Sequence, residues 1–310
     1  MTRSHVSPFS PDPSATLISL DTTGPIGEVT CAVSRGLGSD ILCYPFMRRA
    51  FLAGLFIGLV GPLIGTFLVH RQMALIGDSL AHTAFAGVAI GLFLAAAVGW
   101  TGSPLLAATV VTVTAALLIQ HLAERAGEYG DVAMAIVLTG AFALGTVLIS
   151  ISGGISVDIA SYLFGSIVTV TERSVRLMAA LTALVLGILA LTHKQLLFVT
   201  FDEEAARVAR LPVTAYNRLL VVLTALVVVA SLQILGVILV AGMLVVPVAA
   251  GAKVARSFRR SLVLSALAGE AAVVVGITLS YRYGLATGGT IILVAIATYV
   301  IATAWASLST

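Results

Sequence analysis

FLAGLFIGLVGPLIGTFLVH, residues 51–70, runs for twenty positions without an Asp, Glu, Lys or Arg. At about 1.5 Å of rise per residue, such a stretch makes a helix of about 30 Å, the thickness of a bilayer's hydrocarbon core. Gly54 and Gly58, then Gly61 and Gly65, stand four residues apart. That spacing lets the backbone of a neighbouring helix come close. Pro62 would bend the same helix, because it removes an amide donor and crowds the preceding turn.

Similar stretches fill the rest of the chain. From Ala50 onward the apolar segments are 50–69, 80–99, 103–121, 131–151, 173–192, 216–233, 235–250, 261–280 and 289–308, the seventh being short. Apolar residues make up 59% of the 310, and charged ones only 10%. The mean hydropathy is +1.09, outside the range of soluble domains. Short linkers in lipid leave no room for open irregular backbone, so the expectation is an all-α, polytopic transmembrane bundle of eight or nine spans. Residues 46–310 form its single domain and place it in the cell (plasma or inner) membrane.

The charge is informative by position. Seventeen basic residues against fourteen acidic give a net +3. The basic ones gather between apolar segments and do not line one face with interleaved aromatics, so no nucleic-acid partner is expected. Lys194, Arg207, Arg210 and Arg218 fall in one polar connection, and Lys253, Arg256, Arg259 and Arg260 in another. Two passes separate them, so both fit on the cytoplasmic side. That arrangement puts the C-terminus inside and the N-terminus outside, and leaves Arg48 and Arg49 against the charge rule.

Residues 1–45 are rich in Ser, Thr and Pro and lack the apolar run of a secretory signal. They read as a disordered tail, or as a mis-called extension preceding a start at Met47. Cys31 and Cys43 suggest neither a zinc finger nor a disulfide framework.

An ionisable group at membrane depth requires a partner, a watery cavity or an interface. Three residues qualify: Asp78 and His82 in IGDSLAHTAFAG, and Glu270 in LSALAGEAAVVVGI. Asp78 and His82 lie one helical turn apart on one face. A carboxylate and an imidazole suit zinc, manganese or iron, and a two-fold dimer would supply four such ligands. The competing reading has Asp78 capping a helix start and His82 hydrogen-bonded to a neighbouring helix. Glu270 would be a supporting partner of that pair, a gate, or an ion-pair partner for an arginine. His70, His121 and His193 fall at span ends and His5 in the tail, where no ligand role is expected.

The segment FDEEAARVARLPVTAYNR, 201–218, reads as a short helix with Asp202, Glu203 and Glu204 at its positive end and Arg207 toward its negative end, terminated by Pro212. It is either a solvated loop or a lever that receives force. No phosphate-binding G-x-x-x-x-G-K-[ST] motif, H-E-x-x-H or G-x-S-x-G is present. No catalytic residue is therefore assigned, and any ATP hydrolysis belongs to another chain.

Four segments taken in order, IGDSLAHTAFAGVAIGL, VDIASYLFGSIVTVT, FDEEAARVARLPV and ILGVILVAGMLVVPVAAGAKVAR, resemble the zinc/manganese-type permease family of ATP-binding-cassette importers. The resemblance implies a cobalamin-importer-like (type II) permease fold and a homodimer. It implies a pair of ATPase subunits below and a metal-binding substrate-binding protein above. Zinc or manganese would be the transported substrate, with no permanently bound cofactor. Asp78 and His82 match the family's metal-pathway pair. Asp202, Glu203, Glu204, Ala205, Ala206, Arg207, Val208, Ala209, Arg210, Leu211 and Pro212 match its ATPase-coupling helix, with Arg210 standing where the family more often has glycine. A proton-coupled secondary metal carrier is the alternative. It accounts for the acid–histidine pair and not for the lever.

Overall fold

The structure, a computed structural model, describes residues 41–126, 130–151, 163, 165 and 170–308. The tail up to residue 40 and most of the VDIASYLFGSIVTVT segment lie outside the described residues. After a short 3-10 turn, Ile41–Cys43, the described residues form ten helices. These are α1 (Pro45–His70), α2 (Ile76–Val98), α3 (Pro104–Ala126), α4 (Gly130–Ile151), α5 (Glu172–Phe201), α6 (Glu203–Val208), α7 (Val213–Leu235), α8 (Val237–Val254), α9 (Phe258–Tyr283) and α10 (Thr287–Leu308). Eight are long and apolar enough to cross a membrane, and α8 contributes a shorter apolar stretch, Leu239–Val254. Each of the nine expected segments is a helix, most extended by a few residues at their ends. Cys43 is disulfide-bonded, which the cysteine count did not lead one to expect.

α1 sits at the centre of the bundle, packed on α9, α8, α5 and α7. Its glycines make this possible: a Cβ on Gly58 would stand 3.2 Å from the carbonyl oxygen of Gly269 on α9. α2 packs chiefly on α3 and α4 to one side, while α8, α9 and α10 pack on one another on the other side. α3 and α2 approach as closely, since a Cβ on Gly87 would lie 2.5 Å from the Ala108 Cα.

α7 turns into α8 through a single residue. Gly236 holds a φ of +76°, a left-handed conformation open to glycine at little cost. The backbone of Leu163 and Gly165 fills the space a side chain there would need.

One end of the bundle collects both basic connections. The rings of His70, Phe201 and Phe258 meet there, joining the ends of α1 and α5 to the start of α9. Arg218 at the start of α7 reaches Glu124 near the end of α3 at 3.9 Å. This basic face therefore carries both arginine-rich connections, as the charge rule requires. The opposite end carries Tyr44 against Tyr281, and with them the start of α1 and its Arg48 and Arg49.

Candidate metal pathway

α1 ends at His70, and a five-residue turn delivers the chain into α2 on the basic face. The turn is tightly closed: the Met73 amide donates to the Leu68 carbonyl at 2.9 Å, and Gln72 takes a left-handed φ of +59°. The residue flanking the α2 start is Leu75, which offers no side-chain cap. Asp78 lies inside the first turn, so it is not the cap, and the capping alternative for this residue is set aside. Its carboxylate faces the end of the helix where backbone amides leave partial positive charge.

His82 follows one turn later, with its Nε2 3.6 Å from the Asp78 Oδ1. The two side chains are 18% and 38% exposed respectively, on a helix whose first half is otherwise mostly buried. An ion about 2.1 Å from each atom fits that separation, since oxygen and nitrogen ligands bind divalent zinc at about 2.0–2.2 Å. The imidazole edge rests against the Phe142 ring of α4, centroids 5.2 Å apart, and its Nδ1 is buried without a hydrogen-bond partner. The neighbour of His82 is thus an aromatic ring, not a hydrogen-bonding group. Nε2 is the ring nitrogen beside Asp78, and the one an ion shared with that carboxylate would meet.

α2 is fixed around this pair. The Ser79 hydroxyl stands 3.1 Å from the Met134 carbonyl of α4, and Thr83 donates to the Ser79 carbonyl at 2.7 Å. Among the described residues no group of three or more His, Cys, Asp and Glu side chains could hold a metal. Within one chain the Asp78–His82 pair thus stands as a candidate of two ligands at most. Glu270 does not join them: its helix, α9, packs mainly on α1, α8 and α10, and its Oε2 is buried with neither a ligand pair nor an arginine as partner. Asp78 and His82 stand in the first two turns of α2 and Glu270 in the middle of α9, and the sequence alone does not say whether the two helices meet. His70 and His193 are each engaged with a backbone carbonyl of their own helix, at 2.7 and 2.8 Å.

The second candidate element is α6. Asp202 caps it, its Oδ1 accepting from the Ala205 amide at 2.8 Å, and Glu203 pairs with Arg207 one turn on at 2.6 Å. Ala206 is wholly buried against Val199 and Val213, whereas Val208 is 85% exposed. The helical part is shorter than the 202–212 segment. It ends at Val208, and the expectation that Pro212 terminates it is corrected: Pro212 flanks the start of α7, at its N-cap position. The chain leaves α6 through Arg210 at φ +60°, a left-handed residue. This conformation accounts for a preference for glycine at the position, because a Cβ there costs roughly 1–2 kcal/mol.

Between α6 and the turn that follows α1 lies a cavity of about 760 Å³, whose lining includes Arg71, Gln120, Glu124, Asp131, Glu203 and Arg207. Arg71 spans part of it, its Nε donating to Thr200 Oγ1 at 3.0 Å and its Nη1 to Asn217 Oδ1. Burial pushes the Arg71 guanidinium below its ordinary pKa, and the Glu203 charge opposes that shift. Nothing in the sequence marks Arg71, Thr200 or Asn217, since they come together from three distant segments.

Comparison with known proteins agrees with this architecture. Residues 43–306 match the model of the ABC 3 transport family. A probable metal transport system membrane protein of Treponema pallidum is 37% identical over 256 residues, 83% of this chain and 94% of that one. The manganese transport system membrane protein MntC of Halalkalibacterium halodurans is 34% identical over 256 residues, 83% of this chain and 86% of its own length. Among solved structures, PsaBC from Streptococcus pneumoniae in complex with Fab superposes with a TM-score of 0.75 at 29% identity, over 86% of this chain and 96% of that one. The chain belongs to the ABC 3 transport family and is a multi-pass membrane protein.

Proposed function

We propose that this member of the ABC 3 transport family is the permease subunit of an ATP-driven importer of divalent transition metal ions, zinc or manganese. The observation that carries the reading is the Asp78–His82 pair: a carboxylate and an imidazole 3.6 Å apart and partly open, at the mouth of a helix otherwise packed in the bundle. The names of the Treponema and Halalkalibacterium relatives, a metal and a manganese transport system respectively, support the same cargo class.

Two ligands hold an ion without trapping it, which suits a pathway better than a store. A two-fold homodimer would bring the second pair, completing four ligands at the axis. α6 receives the drive: a capped helix with an apolar residue, Val208, left exposed suits a seat in an ATPase subunit. The chain itself hydrolyses nothing. A dimer of ATPase subunits closing on ATP would move α6, and a metal-binding protein on the opposite face would deliver the ion.

The test is metal accumulation in cells with and without the chain, across several metals, and then with Asp78→Ala or His82→Ala. Zinc or manganese uptake should disappear in both variants while the assembled complex is recovered in normal amount. Undiminished uptake in either variant removes the pair from the pathway. Uptake by the purified chain alone under a proton gradient, with no ATPase present, would instead establish a secondary carrier.

A further inference from the structure

Force applied to α6 has to reach α2 if the pair on α2 is to open and close, yet α6 and α2 are not neighbours in sequence. α7, which follows the α6 loop, packs on α2 directly, and Arg71 adds a side-chain tie between that loop and the turn before α2. Thr200 stands two residues before the α6 cap, and Asn217 lies in the second turn of α7, just past the other shoulder of the loop. The one guanidinium takes both, so each shoulder of the α6 loop is tied to the same side chain. Thr200 is itself held in place, donating to the Leu196 carbonyl at 2.6 Å.

On the other side, Arg71 belongs to a turn with little freedom. Its amide bonds back to Phe67 and Leu68, the Met73 amide returns to Leu68, and the Ile76 amide bonds to Met73. Six residues, most of them in this closed turn, separate Arg71 from Asp78. A guanidinium suits the position because its planar fork directs two donors at once, while an ammonium presents a point charge.

We infer that Arg71 is the positioning residue that transmits motion of the α6 loop to the Asp78–His82 pair, through its paired hydrogen bonds to Thr200 and Asn217. This rests on the importer reading above. Arg71 does not touch the metal. It decides whether the end of α2 follows α5 and α7 when they move. If the tie is cut, α6 still docks and ATP is still hydrolysed, but the pair stays in one arrangement.

The experiment uses the complete transporter, permease with its ATPase and binding protein, reconstituted in liposomes, with radioactive manganese and zinc as probes. ATP hydrolysis and metal uptake are measured on the same preparation. The double variant Thr200→Val, Asn217→Ala removes both acceptors while leaving Arg71, α6 and the metal pair in place. Expected are near-normal hydrolysis and a fall of about tenfold in metal moved per ATP, within the range typical of coupling between sites. Thr200→Ser with Asn217→Asp keeps both acceptors and should restore the ratio. Arg71→Lys should fall between.

A double variant with the wild-type ratio overturns the inference. So does a parallel loss of hydrolysis and uptake that the acceptor-retaining variant fails to rescue, which makes the contacts structural only. A wild-type complex that moves no metal on ATP addition, yet assembles and hydrolyses, counts against the importer reading, and the two failures are thus told apart.

Discussion

Removing the carboxylate of Asp202 should loosen α6 by a measurable and limited amount. The helix has six residues, Glu203–Val208, too few to be stable alone in water. It stands because Asp202 Oδ1 takes the Ala205 amide at 2.8 Å, Glu203 and Arg207 pair along one face, and Ala206 is buried beneath. A cap of this kind is worth about 1 kcal/mol, with a range of about 0.5–2. The Glu203–Arg207 pair is solvent-exposed and screened, so it adds little.

Asp202→Ala should therefore raise the open population of α6 about fivefold, the ratio that corresponds to about 1 kcal/mol. Hydrogen–deuterium exchange of a peptide covering 201–211 reads this directly, and ATPase association measured on the same protein should weaken in step. Asp202→Asn keeps an acceptor oxygen and should restore most of the protection. If Asp202→Ala exchanges like the wild type, the cap does not hold the helix. If Asp202→Asn behaves like Asp202→Ala, the carboxylate's charge matters and not its hydrogen bond.

Arg210→Gly relieves the left-handed strain at φ +60° and pays back some backbone entropy, so thermal unfolding should show a net gain of about 0.5–1 kcal/mol with uptake unchanged. Gly87→Leu drives a side chain into the Ala108 backbone and should cost about 1–3 kcal/mol or prevent assembly, whereas Gly140→Ala, which meets nothing within 4 Å, should be tolerated. Glu270→Gln should leave metal uptake close to wild type, since α9 does not pack against the helix of the metal pair; abolished uptake with normal assembly would make Glu270 a gate.

Much of the fold is legible because lipid leaves the backbone few choices. A run such as 51–70 can satisfy its amides and carbonyls in hydrocarbon only as a helix, and the same constraint recovers the other eight segments. The acid and histidine of α2 are legible for a related reason: charge is rare at membrane depth, so Asp78 and His82 stand out against their surroundings. The ends of elements are harder. The 202–212 segment looks continuous, yet its helix stops at Val208 because Arg210 adopts a conformation that composition does not reveal.

The sequence by itself determines that this is a bundle of membrane helices, which connections share a face, and that one helix carries an acid and an imidazole one turn apart. These follow from hydrophobicity, charge and helical period, all of which are local quantities. Only the tertiary structure decides that His82 lies against Phe142, that Glu270 belongs to another neighbourhood, and that Arg71, in the turn before α2, joins Thr200 to Asn217. These depend on contacts between residues 60 to 146 positions apart, set by which glycines let which backbones approach, and no local pattern encodes them.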